Sequence, residues 1–218
     1  MTSFWLPVDC LICGQPPLQV CQSCRLKLPI LPRSVSRPGL VAGWATTAYE
    51  GAPQLLVHAL KERGSGSVAK LMATAMAQTL SKNLEHTLDG KGGNQPVLLV
   101  PAPSRRSAMA RRGFVPAVLL AKAVARQLRA TSVTAQVLPL LRVGADVADQ
   151  SGLNRLERQQ NLAGKMNCKS KLSAGFSGYR LVLIDDVVTT GATLREMQRS
   201  LTSAGWQPVN FLTFAETL

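Results

Sequence analysis

Leu181-Val182-Leu183-Ile184 is followed directly by Asp185-Asp186-Val187-Val188-Thr189-Thr190-Gly191-Ala192-Thr193. Four consecutive apolar residues read as a buried strand, and the two carboxylates mark its end. A loop of small hydroxyl residues then opens a helix, Ala192 to Ala204, closed by Gly205. Parallel α/β sheets bind ligands outside the carboxyl ends of their strands, and this is such an end. The helix N-terminus offers amides and partial positive charge to a phosphate. Gly191 lets the backbone approach that phosphate, while Thr189, Thr190 and Thr193 supply hydroxyl donors. Asp185 and Asp186 would repel a phosphate, but they suit the 2′- and 3′-hydroxyls of a ribose. A 5′-phosphorylated ribose therefore satisfies both halves of the segment. A strand terminator and a helix cap would explain one Asp and one Thr, not the whole string. A Walker-type loop is excluded, because no lysine follows the glycine.

Working outward, the flanking pattern is that of a doubly wound domain. Val97-Leu98-Leu99-Val100 reads as a buried strand and Val115 to Leu128 as a helix with Pro116 in its first turn. Val133 to Leu138 is a second strand, and Val209 to Ala215 the last one. Before them, Leu40 to Tyr49 reads as a strand, Pro53 to Lys61 as a short helix, and Val68 to Leu84 as a longer one. Arg63-Gly64-Ser65-Gly66-Ser67 breaks those two helices, and residues 89–94 form a glycine-rich loop. Residues 142–179 make a long basic segment with one helical piece, Leu153 to Leu162. Strands alternating with helices predict an α/β fold, mainly a parallel, doubly wound sheet with helices on both faces.

Composition sets the class of partner. The 218 residues carry 25 Lys+Arg against 12 Asp+Glu, a net charge of +13. The excess is local: residues 101–180 hold 14 basic and 3 acidic side chains, or +11, whereas 181–218 hold 2 and 4, or −2. Such a field attracts phosphates, pyrophosphate, nucleic acid or an acidic partner. Arg105, Arg106, Arg111 and Arg112 put four guanidinium groups within eight residues, a crowding that an anion relieves. With 46% hydrophobic residues the chain has material for a core, which excludes disorder as its overall description. No window approaches the roughly 18 apolar residues that a bilayer helix needs. Residues 1–7 have neither the basic nor the apolar region of a secretory signal, so the expected location is cytoplasmic.

Four of the five cysteines lie at the N-terminus as C-x2-C-x7-C-x2-C: Cys10, Cys13, Cys21 and Cys24. Each C-x2-C presents two thiolates from one tight turn, and two such turns complete a closed, structural zinc shell. Disulfides would require an oxidising compartment, and a redox pair would need only one such motif. The expected organisation is a zinc hairpin and proline-rich linker over residues 1–38, followed by a domain over 39–218. Within that domain, residues 39–96 form an N-terminal portion and 97–218 the core. Cys168 stands alone among lysines and receives no role. His58 and His86 fall in predicted helices and read as surface or packing residues.

The segment around Asp185-Asp186 is similar to the phosphoribosyl-diphosphate (PRPP) signature of type I phosphoribosyltransferases. Together with the four-cysteine hairpin, it makes the chain resemble the ComF/GntX family, phosphoribosyltransferase-like proteins that include competence proteins of DNA uptake. Tyr49-Glu50-Gly51, Leu60-Lys61, Val100-Pro101-Ala102-Pro103, Arg111-Arg112-Gly113-Phe114, Gln150, Arg155, Arg158 and Asn161-Leu162 fall where that family has its short motifs. Departures are Val115-Pro116 in place of Asn-Gln, Met166 for an aromatic, and Glu62 for another.

The resemblance implies a type I phosphoribosyltransferase fold that binds PRPP or a nucleotide monophosphate with Mg²⁺. Asp185, Asp186, Thr189, Thr190, Gly191, Ala192 and Thr193 would hold the ribose phosphate, with both carboxylates also stabilising charge at the reacting carbon. Pro101, Ala102, Pro103, Ser104 and Arg105 would face the pyrophosphate, a placement that suits a loop leaving a strand end beside arginines. Arg155, Arg158 and Asn161 would belong to a flexible flap. The implied activity is phosphoribosyl transfer to a nitrogenous acceptor in nucleoside or nucleotide metabolism, a glycosyltransferase reaction. The alternative is a non-catalytic component of DNA uptake, binding nucleotide or single-stranded DNA and holding a partner such as a helicase through the zinc hairpin.

Overall fold

The computed structural model describes residues 9–16, 19–86, 95–144 and 164–217. Its strands are β1 (Arg33–Val35), β2 (Gly43–Ala48), β3 (Val97–Pro101), β4 (Ala135–Val137), β5 (Leu141–Val143), β6 (Met166–Cys168), β7 (Arg180–Val188) and β8 (Pro208–Glu216). Its helices are α1 (Gln22–Leu26), α2 (Ala52–Arg63), α3 (Gly66–His86), α4 (Arg106–Arg112), α5 (Pro116–Ala130) and α6 (Ala192–Thr202). Six strands form one sheet in the order β1-β2-β8-β7-β3-β4. All its pairings are parallel except that of the edge strand β1 with β2. The expected mixed α/β architecture with a mostly parallel sheet is what the chain adopts.

Alternation along the strands explains the two layers of core. Val97 and Leu99 of β3, Val182 and Ile184 of β7, and Leu212 and Phe214 of β8 face α2, α3 and α5. Their neighbours Leu98, Val100, Leu181, Leu183 and Phe211 face α6 and the β5–β6 hairpin. Strands buried on both faces read as unbroken apolar runs, which is why the sequence displays them plainly. Helix α6 offers Leu194, Met197 and Leu201 at i, i+3 and i+7, all buried. Burying each such side chain contributes about 1.5–3 kcal/mol before chain entropy is subtracted.

Besides the short helices α1 and α4, which the sequence reading did not contain, three strand features differ from the sequence expectation. Strand β7 does not stop at Ile184 but continues to Val188, because β8 goes on pairing with it through Val187↔Ala215 and Val188↔Glu216. The proline-rich stretch 29–38 includes β1, paired Arg33↔Ala45 and Val35↔Gly43. Proline is tolerated around an edge strand, where one side of the backbone needs no partner. The basic segment 142–179 starts and ends in structure: β5 and β6 pair antiparallel, Val143 opposite Met166. That hairpin is tied to α6, since Glu196 accepts the Met166 N–H at 2.9 Å and two bonds from Arg199 at 2.7 Å. Burial alone would raise Glu196, but these donors outweigh it and hold the carboxyl below its ordinary value. The loop 89–94 and the helical piece 153–162 lie outside the described residues. Among the described residues, no helix is long and apolar enough to cross a membrane.

Gly43 leaves no room for a side chain. A Cβ at this position would sit on the Phe211 carbonyl and ring, whereas one at Gly66 would meet nothing within 4 Å. Gly43→Ala is expected to cost about 1–3 kcal/mol, the usual range for an overpacked core, while Gly66→Ala leaves stability unchanged or slightly higher; paired denaturant melts measure both.

Candidate functional site

The order of the strands locates the site. After β3 the chain forms its outer neighbour β4, then returns to the opposite side of β3 to form β7. Ligands in open α/β sheets bind at such a reversal, outside the carboxyl ends of the strands. Here β3 pairs with β7 as far as Pro101↔Ile184, and the Ala102 N–H makes one last bond to the Ile184 carbonyl at 2.8 Å. The chain then turns away into α4, while β7 runs on with β8 alone: Asp185↔Thr213 and Val187↔Ala215. From Asp185 onward, β7 therefore borders a gap that β3 has left. A cleft of about 260 Å³ occupies it, lined by Ala102, Pro103 and Ser104 on one side and by Asp185, Asp186, Thr193, Lys61 and Arg112 on the others.

The charges in the cleft are unequal. Lys61, in the last turns of α2, reaches Asp186 with Nζ 2.9 Å from Oδ1. Asp185 accepts the Asp186 N–H at 2.9 Å. Burial, reinforced by the neighbouring Asp186 charge, raises the Asp185 carboxyl to about 7 against the attraction of Lys61. Burial would lower Lys61, but Asp186 outweighs it and the ammonium is held above its ordinary value. One ammonium thus faces two carboxylates. The uncompensated charge and the hard oxygen donors suit a cation such as Mg²⁺, which takes carboxylate, hydroxyl, phosphate and water ligands. Arg112 pairs with Glu62 at 3.0 Å, and its Nε is buried without a hydrogen-bond partner among the described residues.

The turn after β7 is held from behind. The Thr189 carbonyl accepts Arg37 Nε at 3.2 Å, and the Thr190 carbonyl accepts Arg195 Nη1 at 3.0 Å. Arg37 also forms a 2.6 Å pair with Glu216 at the end of β8. Gly191 has φ 78°, and a Cβ there would come within 3.3 Å of Arg37 and Leu40. Its conformation and its packing both call for glycine. Helix α6 starts at Ala192 with no side-chain bond from its N-cap residue Gly191. Thr190 Oγ1 accepts the Ala192 N–H at 3.4 Å, and Thr193 of the first turn lines the cleft, where the amides after Ala192 suit an anion.

The structure brings Asp185, Asp186, Thr193, Ala102, Pro103 and Ser104 to one cleft. Thr189, Thr190, Gly191 and Ala192 form the adjoining turn instead of lining it. Pro101 is the buried last residue of β3, and Arg105 precedes α4 at the loop's far end. Arg155, Arg158 and Asn161 lie outside the described residues. Lys61, Arg112 and Arg37 had no site role in the sequence reading. The signal for the first two was present, because both sit in short motifs quoted for the resemblance; nothing local indicated Arg37.

The N-terminal cysteines also converge. The sulfurs of Cys10, Cys13, Cys21 and Cys24 lie within 4.8 Å of one another, with Cys13 and Cys21 3.8 Å apart. Zinc–sulfur bonds of about 2.3 Å in a tetrahedron imply sulfurs about 3.8 Å apart, so the four could hold a zinc ion. Burial would raise the Cys10 thiol, but backbone N–H groups of Cys21, Cys13 and Ile12 bring it to about 6. Burial and the other three cysteines push Cys24 up to about 12. The cluster is attached to the main core, against which Leu11, Ile12, Val20, Cys24, Leu28 and Ile30 pack.

A parallel α/β protein with paired carboxylates and a helix N-terminus at its switch point is the class these features define. No family model matches the chain. It is similar to the DNA utilization protein YhgH of Salmonella typhi, 29% identical over 212 residues, which cover 96% of this chain and 84% of that protein. It is also similar to Competence protein F of Haemophilus influenzae, 28% identical over 114 residues, covering 52% of this chain and 48% of that one. The resemblance stated from the motifs thus has relatives behind it: a DNA utilization protein over nearly the whole chain and a competence protein over about half of it. Solved structures to which the chain is similar include a hypoxanthine phosphoribosyltransferase from Trypanosoma cruzi, with TM-score 0.41 and 14% identity over 68% of this chain and 64% of that chain. Another is a point mutant of that enzyme complexed with the product IMP, with TM-score 0.38 and 14% identity over 68% and 63% of the two chains.

Asp185 yields a pH prediction. Its carboxyl is raised from an ordinary value of 3.8 to about 7 in the folded chain, so the folded state binds the proton more tightly. Its contribution to stability is complete below about pH 4 and is lost as the pH climbs through about 7. Asp185→Asn in metal-free buffer is expected to melt at a higher temperature than the wild type at pH 8, with the gain shrinking toward pH 4.

Proposed function

We propose that the cleft binds the phosphorylated ribose of PRPP, or of a nucleotide monophosphate, with Mg²⁺. On this reading the protein is phosphoribosyltransferase-like, a cytoplasmic glycosyltransferase acting on a nitrogenous acceptor in nucleotide metabolism. The observation that carries it is Asp185-Asp186 on the open edge of β7, beside the start of α6. The two carboxylates accept the ribose hydroxyls. The turn Thr189 to Thr193 and the first amides of α6 take the 5′-phosphate. Pro101 to Arg105 leave the strand end where a pyrophosphate attached to C1 would lie, and Arg155, Arg158 and Asn161 are proposed as further contacts of the ligand. Bound Mg²⁺ supplies neutralisation of the diphosphate, easing its departure. Asp185 and Asp186 then stabilise positive charge developing on the ribose.

A second reading has its own support in the names of the relatives, DNA utilization and competence. Arg106, Arg111, Lys122, Arg126, Arg129, Arg142, Lys169 and Lys171 are exposed cations of the basic central stretch. A non-catalytic component of DNA uptake would bind single-stranded DNA through such charges, with affinity falling steeply as salt is raised. A helicase held by the zinc hairpin belongs to this reading.

Calorimetric titration of Mg-PRPP separates the two. Saturable binding is expected in the wild type and about 100-fold weaker or lost in Asp185→Asn/Asp186→Asn, since hydrogen bonds to charged groups contribute about 1.5–3 kcal/mol each. A folded wild type that binds no Mg-PRPP, yet shifts single-stranded DNA in low salt, would replace the first reading with the second. The four cysteines are proposed to hold one structural zinc ion. Elemental analysis should find it in the purified chain, and Cys10→Ser should remove it and lower the melting temperature of the whole protein.

A further inference from the structure

Lys61 and Arg112 are the cations of the cleft that the ribose-phosphate reading leaves without a task. Of the two, Lys61 is the one paired with a cleft carboxylate, whereas Arg112 pairs with Glu62. The position of Lys61 is set by the packing of α2. Gly64 ends α2 at φ 58°, and a Cβ on it would lie 2.8 Å from the Phe114 ring, so the helix end is pressed against the residues following α4. Glu62, next to Lys61, pairs with Arg112 of α4 at 3.0 Å. Leu56, Val57 and Leu60 anchor α2 in the main core, each almost fully buried. The α2 backbone is therefore held, and the part able to move is the four-carbon Lys61 stem. Its side chain is 38% exposed, whereas Asp186 is 8% exposed. A pair with one half-exposed member is weak enough to exchange partners.

We propose that Lys61 is an exchangeable counter-cation: it neutralises Asp186 while the cleft holds no ligand, and passes to an anionic oxygen of the ligand when a divalent cation takes the carboxylate. This rests on the proposed phosphate-bearing ligand. The charges favour the exchange. A dication on Asp186 with the ammonium still 2.9 Å from its Oδ1 would bring like charges together. The same cleft is lined by Ser104 and Arg112, whose hydroxyl and guanidinium are donors suited to a phosphate oxygen. Lys61 thus favours a metal that arrives with an anion over a metal that arrives alone.

The test compares wild type, Lys61→Met and Lys61→Gln in two titrations. Free Mn²⁺ is followed by electron paramagnetic resonance, and Mg-PRPP by calorimetry, with thermal melts confirming folded protein. The expected pattern is crossed: both variants bind Mn²⁺ alone at least about fivefold more tightly and Mg-PRPP at least about tenfold more weakly. A merely structural ion pair would weaken both together or neither, and either result overturns the proposal. If the wild type binds no Mg-PRPP, the ribose-phosphate reading falls separately. The Mn²⁺ titration, run with and without inorganic pyrophosphate, then decides. Tighter binding of Mn²⁺ alone together with weaker binding of Mn-pyrophosphate in the variants sustains the exchange, and any other pattern ends it.

Discussion

Strand β3 lets go of β7 after Pro101↔Ile184, and the cleft exists because β7 does not end there with it. Had both strands ended together, Asp185 and Asp186 would sit in a terminal loop with water on every side. Because β8 continues to pair with β7 through Val188, the carboxylates are carried on a rigid strand with one bare edge. Rigidity fixes where their oxygens point, and partial burial makes their charge costly. That cost appears in the carboxyl of Asp185, raised to about 7. A site whose own groups repel one another, with a single ammonium to offset them, is prepared for a cation and for hydroxyl donors.

The segments arranged around that edge come from distant parts of the chain. Helix α2 brings Lys61, the loop after β3 brings Ala102 to Ser104, and α4 brings Arg112. The N-terminal stretch contributes from behind: Arg37, just past β1, ties the Thr189 carbonyl to Glu216 on β8. The cysteine cluster packs on the same layer as α2 and α3, and Ser65 and Ser67 both donate to Gln19 of its hairpin. The hairpin is thus continuous with the core that supports α2.

The central strands and the ribose-phosphate segment were legible because local pattern and tertiary role coincide in them. Val97 to Val100 and Leu181 to Ile184 are apolar on every residue since helices or the hairpin cover both faces. Strand β1 was not legible: three residues among prolines carry no periodicity, and only pairing with β2 makes them a strand. The β5–β6 hairpin was hidden for a similar reason, its two short strands being separated by more than twenty residues of sequence. The end of β7 was misjudged because adjacent carboxylates normally terminate a strand, and the partner that overrides them, β8, follows only after α6.

By itself the sequence determined the parallel α/β class, the four sulfurs of one cluster and the acidic-hydroxyl segment at a strand-to-helix turn. Each of these depends on residues near one another in the chain, whose spacing alone dictates geometry. Only the tertiary structure decided that Lys61 faces Asp186, that Arg112 closes the same cleft, and that Arg37 braces the turn at Thr189. These bring together residues 125, 74 and 152 apart in numbering, from Lys61 to Asp186, Arg112 to Asp186 and Arg37 to Thr189. No local periodicity records them, because long charged side chains are compatible with any exposed helix or loop until the sheet order assigns them a neighbour.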